Sequence, residues 1–232
     1  MWPVGTDDLP AWDFDELAHA GKEHLDALYV AEYDEKSPTD WRNDVGTLQA
    51  LGIGSSSTVV DLGAGTGAFA EAIAERVRRV VAVDVSPAMV AALRAQGIEA
   101  VQAGFLTYQH TGDPPDAITT RNALHHLPDF WKVVALSRIA AMLRPEGVLL
   151  LRDLVFSFDP AHAASAIHAW LKTAPTDPAQ GWTAAQLADH VRTEYSTFAW
   201  LLEPMLERAG FEIKERDLGA SGIYVAYLCI RR

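Results

Sequence analysis

The feature that most restricts how this chain folds is a five-residue run, Thr58-Val59-Val60-Asp61-Leu62. It leads directly into Gly63-Ala64-Gly65-Thr66-Gly67 and then into an alanine-rich stretch, Ala68 to Val77. A run this short, apolar at both parities, suits a strand buried on both faces, which requires covering elements on both sides. Glycines let the backbone turn sharply and let a ligand approach without a Cβ in the way. In open α/β sheets, a strand, a glycine-rich turn and a helix N-terminus form a nucleotide-type site at the carboxyl ends of the strands.

The chain repeats this alternation. Val80 to Val83 reads as a second strand ending at Asp84, and Ser86-Pro87 fits the cap and first turn of a helix through Met89 to Gln96. Ile98 to Ala103 and Ala117 to Thr120 follow as strands, then a helix from Pro128 to Leu143 stopped by Pro145, and Val148 to Leu151 begins a fifth strand. Thr183-Ala184-Ala185-Gln186 fits a capping box that starts a helix through about Arg192. A further helix over 198–209 ends at Gly210. Phe211 to Arg216 and Ile223 to Ile230 are strands joined by the short link Gly219 to Gly222, so they pair antiparallel at the sheet edge. The expected fold class is α/β: a seven-stranded, doubly wound Rossmann-like sheet, mostly parallel with an antiparallel C-terminal edge strand, plus a helical lid. One domain spans 1–232. Within it, 1–55 forms an N-terminal helical lid (helical spacing at Leu17, Leu25, Leu28 and Tyr29), 58–158 the ligand-binding core, 159–209 a helical cap and 211–232 the edge strands.

Composition narrows the classes. With 31 acidic against 19 basic residues, the formal charge of -12 opposes adhesion to nucleic-acid backbones and anionic membranes. The single Cys229 rules out an internal disulfide or a cysteine metal cluster. No apolar run reaches the roughly 18 residues of a membrane span; the longest, Val148 to Phe158, is cut by Arg152 and Asp153. Asp7 and Asp8 replace the basic start of a signal peptide, so a cytoplasmic protein is expected. The basic group Arg76, Arg78 and Arg79 reads as cations complementing a helix C-terminus.

Two ligand classes compete for the glycine loop. Gly63, Gly65 and Ala68 satisfy the dinucleotide pattern G-x-G-x-x-G/A, and Asp84 stands where a ribose-binding carboxylate belongs, which keeps an NAD(P)-dependent oxidoreductase open. Asp61, just before the first glycine, repels a pyrophosphate but attracts a cation. With Gly67 in place, Asp61 to Gly67 resembles the first motif of the class I S-adenosylmethionine-dependent methyltransferases, D-x-G-x-G-x-G. Val83 to Met89, Gln102 to Phe105, Asn122 to Asp129 and Met142 to Val148 resemble the later blocks of that family in order. The resemblance covers about residues 58 to 155, and the strand pair at 211 to 230 extends it.

It implies S-adenosylmethionine as cofactor. Asp61 faces the cationic ammonium and sulfonium, Gly63, Gly65 and Gly67 frame the methionine part, and Thr66 donates a hydrogen bond. Asp84 accepts from both ribose hydroxyls. Val85 and Met89 sandwich the adenine, Gly104 and Phe105 meet its edge through backbone groups, and Arg121 or Asn122 approaches the methionine end. Many relatives carry an Asp for the adenine amine where this chain has Gly104-Phe105.

Methyl transfer from a sulfonium is an in-line displacement, so the protein chiefly aligns the reactants and removes water. His125 and His126 follow the fourth strand on the cofactor side and are the candidates for a general base. The plainer reading, preferred on sequence alone, is that the pair packs or caps the helix beginning near Pro128. Six of the seven tryptophans lie outside 58–155. Aromatics so placed suggest a lid and cap around a small-molecule acceptor, with Tyr33 and Tyr195 as candidate pocket contacts, although most of these rings serve to glue lid to sheet. No metal set is evident. A non-catalytic module that binds the cofactor is the third reading.

Overall fold

The computed structural model describes residues 12–21 and 41–232. The first strand forms as its sequence dictates: β1, Thr58–Leu62, is buried at all five positions. It pairs in parallel with β2, Arg79–Asp84, on one side and β4, Ala117–Arg121, on the other. β3, Ala100–Gln102, continues the sheet beyond β2, and β5, Val148–Phe156, beyond β4. Two final strands complete it, β7 over Phe211–Asp217 and β8 over Tyr224–Arg231. The order is β3-β2-β1-β4-β5-β8-β7, with a two-residue strand, β6 (Thr197–Phe198), also pairing with β5. The antiparallel C-terminal pair therefore sits at the expected edge. It is β8 that lies antiparallel against β5, and β7 ends the sheet.

Helices cover both faces. α1, Arg42–Ala50, and α2, Ala68–Ala74, cover one face, where Val45, Leu48, Phe69 and Ile73 meet Val59 and Leu150. α4, Asp129–Met142, and α7, Ala199–Ala209, cover the other, where Leu136, Ile139 and Leu202 join a core with Val60, Leu62, Val81 and Val83. α3, Pro87–Ala95, follows β2, its first turn held by the Ser86 hydroxyl accepting from the Met89 N–H at 3.2 Å. α5, Ala163–Leu171, and α6, Ala184–Thr193, pack at the far end of β5, where Ile167, Trp170 and Leu187 meet Leu154 and Phe156. The Thr183–Gln186 capping box starts α6, and Gly210, at φ 104°, ends α7.

The structure extends one expectation and changes two. β5 runs straight through Arg152 and Asp153 because both charges are paired, Arg152 with Asp44 and Asp153 with His125. The N-terminal helical reading holds for α1 but not for 12–21, which is a chain of turns. There the Asp13 and Asp15 side chains accept from the Phe14 and Ala18 N–H groups, competing with helical bonding. Leu25, Leu28, Tyr29 and Tyr33 lie outside the described residues. The basic group is structural but not a helix end cap throughout. Arg76 donates to the Ala72 carbonyl, Arg78 to Thr58 Oγ1, and Arg79 pairs with Glu99 across the β2–β3 edge.

The sheet order reverses direction between β1 and β4, since β2 and β3 lie on one side of β1 and the later strands on the other. A crevice opens there at the carboxyl ends of the strands, the position where such sheets bind ligands.

Candidate active site

The crevice is a cleft with about 700 Å³ of space out to its mouth. Gly63 and Gly65 form its floor, Asp84, Val85 and Met89 one wall, and Ala103, Gly104 and Phe105 the end of that wall. Arg121, Asn122, Ala123, His126 and Leu127 line the opposite side, and Phe14, Glu16 and Ala20 come over from the N-terminal segment.

The glycine loop has its shape for stated reasons. The Gly63 and Ala64 N–H groups both donate to the Val83 carbonyl, at 2.8 and 3.0 Å, binding the loop to the end of β2. Gly63 has φ 72°, and a Cβ there would stand 2.3 Å from the Ala123 Cβ, so only glycine lets β1 and β4 close up at this point. Gly65 donates its N–H to Asp84 Oδ2 at 2.9 Å, and Ser86 donates to Asp84 Oδ1 at 2.8 Å. Each carboxylate oxygen is thus fixed by one backbone donor and keeps further acceptor capacity toward the cleft. Burial raises the Asp84 pKa, opposed by these N–H groups. On the facing side Asn122 sits at φ 51°, a left-handed conformation uncommon outside glycine, at the turn that follows β4.

Ten of the expected residues line the cleft: Gly63, Gly65, Asp84, Val85, Met89, Gly104, Phe105, Arg121, Asn122 and His126. Five others do not. Asp61 alternates with Val60 and Leu62 along β1, so its side chain turns to the α1–α2 face. There it lines a small second cavity with Trp41, Asp44 and Thr119, and accepts the Thr119 hydroxyl at 2.8 Å. Burial pushes the Asp61 carboxyl up to about 7; the Thr119 bond opposes this, and Asp84 and Asp44 add repulsion. Thr66 is buried within the loop, and Gly67 serves packing: a Cβ there would meet Leu93 at 2.4 Å and Ile98 at 2.9 Å. Tyr195 lies half exposed at the rim, its ring 6.4 Å from those of Phe14 and His19.

The histidine pair separates. His126 lines the cleft, whereas His125 is buried behind it at 5% exposure. His125 Nδ1 bonds Asp153 Oδ1 and its Nε2 lies 3.0 Å from Glu194 Oε2. Glu194 also pairs with His190, whose Nε2 meets Ser196 Oγ at 2.8 Å. Burial alone would lower the His125 pKa, but the two carboxylates outweigh it and hold it at about 9. With both ring nitrogens donating, His125 is an imidazolium near neutral pH and accepts no proton from a substrate. It ties β5 and the turn after β4 to α6. His125, His190 and Glu194 have metal-ligating atoms within 4.8 Å of one another, but the carboxylate here answers the imidazolium's charge.

Sequence reasoning missed Glu16, Phe14 and the pairing partners Asp153, His190 and Glu194. Glu16 stands in an acid-rich stretch that reads as solvated surface. The sole hint was the missing acidic side chain at Gly104-Phe105. Burial pushes the Glu16 carboxyl up to about 7, against the pull of the Leu106 and Phe105 N–H groups.

The site therefore offers oriented carboxylates, a close backbone floor and an adjacent histidine. Among its described residues the lining arginine, Arg121, is already engaged by Asp44 at 3.1 Å and stacked over Trp41. That donor set fits a cationic, phosphate-free ligand. Together the strand order and cleft define a Rossmann-like architecture with a ligand cleft at its switch point.

Comparison with known proteins agrees. Residues 59–147 match the methyltransferase domain family. An uncharacterized methyltransferase of Bacillus pumilus is 28% identical over 184 residues, which take in 78% of this chain and 82% of that protein. A putative methyltransferase from Bacillus halodurans has the same fold, with TM-score 0.61 at 18% identity over 82% of this chain and 98% of that one. So does the magnesium protoporphyrin IX methyltransferase of Synechocystis with bound S-adenosylmethionine, with TM-score 0.63 at 14% identity over 96% and 100%. The chain thus carries a methyltransferase domain and is an S-adenosylmethionine-dependent enzyme. Nothing favours the dinucleotide alternative.

Proposed function

We propose that this enzyme methylates a small-molecule acceptor held between the glycine-loop side of the cleft and the N-terminal segment. The observation that carries this reading is the division of one cleft into two chemistries. Asp84, Gly63 and Gly65 line it with polar, oriented groups, and Phe14, Ala20, His126 and Leu127 line it with apolar side chains and an imidazole. The overall charge of -12 disfavours nucleic-acid acceptors.

Asp84 holds the ribose hydroxyls, Val85 and Met89 flank the base, and Gly63 and Gly65 bring backbone close to the methionine part. Asp61 acts from behind the loop through its charge, and Arg121 and Asn122 border the methionine end. When bound, S-adenosylmethionine supplies a methyl group on a cationic sulfonium, whose sulfur keeps the electron pair of the bond that breaks. The chain's own work is alignment and exclusion of water. Segment 12–21 forms the lid, and α5 and α6 form the cap. Tyr195 borders the acceptor entrance from the rim. His126 takes the acceptor's proton where the acceptor carries one, while the buried His125 network holds the turn that presents it.

The test is incubation of the purified chain with methyl-labelled S-adenosylmethionine and a metabolite extract, with RNA and protein fractions in parallel. Label should pass into the small-molecule fraction. Transfer confined to RNA or protein would contradict the reading.

A further inference from the structure

A protein that reads an adenine edge needs an acceptor for the 6-amino group, a strong donor that is costly to bury unpaired. Residues 103–106 at the end of the cleft, Ala103-Gly104-Phe105-Leu106, carry no polar side chain. Their backbone N–H groups point instead at a carboxylate from another part of the chain. The Phe105 N–H donates to Glu16 Oε1 at 2.7 Å and the Leu106 N–H to Glu16 Oε2 at 3.0 Å. Glu16 lines the cleft together with Gly104 and Phe105, facing the wall of Val85 and Met89.

Gly104 explains why it fits. A Cβ at this position would lie 2.4 Å from the Glu16 carboxylate. The backbone of Gly104 is outside the left-handed region, so the turn does not require glycine; the space for Glu16 does. Two of the roughly four acceptor positions of the carboxylate are used by the backbone donors, which leaves capacity toward the cleft. The segment is held in place by rings: Trp12 stacks on Trp131 with centroids 6.2 Å apart, and Phe14 also packs on Trp131 at 6.2 Å. Arg138, which donates to the Phe105 and Tyr108 carbonyls, places a cation behind the same turn.

Resting on the S-adenosylmethionine reading, we propose that Glu16 is the acceptor for the cofactor's adenine amino group, delivered by the N-terminal segment into the space that Gly104 leaves open.

The experiment is calorimetric titration of the full chain with S-adenosylhomocysteine and with its analogue lacking the 6-amino group. Wild type should prefer the amino form by about tenfold, the size of one hydrogen bond to a charged group. Glu16→Ala should bind the amino form about tenfold more weakly and lose the preference, leaving the analogue nearly unaffected. Glu16→Ala/Gly104→Asp should recover both affinity and preference, since the new carboxylate occupies the vacated space. Equal weakening toward both ligands would mean that Glu16 only docks the segment, and tighter binding by Glu16→Ala would mean that it occupies the base's place; either overturns the assignment. If wild type binds neither ligand, the cofactor reading itself fails, and the assignment with it.

Discussion

At the scale of single residues, the site depends on carboxylates whose position is set by backbone donors. Asp84 is held by the Gly65 and Ser86 N–H groups, at 2.9 and 2.8 Å. Asp84→Asn keeps the shape but replaces one oxygen by an NH₂ that faces an N–H and removes the charge. The expected loss is about 1.5–3 kcal/mol, ~10- to 150-fold in Kd for S-adenosylmethionine. Calorimetry checks it, with circular dichroism to show the fold intact. Unchanged affinity would remove Asp84 from the ribose contact. Asp84 was legible in sequence because a carboxylate at the end of the second strand belongs to a local pattern. Glu16 was not, because its partners are about ninety residues away and no short-range pattern encodes that contact.

At the scale of elements, the turn after β4 is secured by charge rather than by apolar packing alone. Asp153 on β5, His125 on the turn and Glu194 and His190 at the end of α6 form one buried chain. Removing one partner leaves the others buried and uncompensated. His125→Ala should therefore cost about 3 kcal/mol, or roughly 6–12 °C in Tm, and should speed proteolytic cleavage near α6. His126→Ala, at the cleft surface, should leave Tm within about 2 °C while reducing methyl transfer. Equal thermal effects of the two substitutions would contradict the division of roles. The strand and helix sequence of the core was readable from period and punctuation, as β1, the Ser86 cap, the Thr183 box and Gly210 show. What local pattern could not show was pairing at a distance. It hid the pairing of Arg152 and Asp153 inside β5, the separation of His125 from His126, and the turns at 12–21, where aspartates take backbone N–H groups from a helix.

For the whole molecule, two buried carboxyls, Glu16 lining the cleft and Asp61 behind the glycine loop, tie its behaviour to pH. Glu16 and Asp61, both pushed up to about 7 by burial, are partly protonated in the free protein at neutral pH. A cationic ligand favours their ionised forms and lowers their pKa, so affinity for S-adenosylmethionine should rise from about pH 6 to about pH 8 and level off above. The same raised values make the ligand-free fold lose stability as pH climbs from the unfolded carboxyl range, near 4, through about 7, because the unfolded chain ionises first. Melting curves across that range should show a falling midpoint that the cofactor offsets. A flat affinity profile would mean that neither carboxyl senses the ligand.

The claim on which all of this rests is that the glycine loop and Asp84 hold S-adenosylmethionine. Calorimetric titration of the purified chain with S-adenosylmethionine and, separately, with NAD tests it most directly. One equivalent of S-adenosylmethionine should bind with micromolar affinity and NAD should give no heat. Binding of NAD, or silence toward S-adenosylmethionine, would contradict the account.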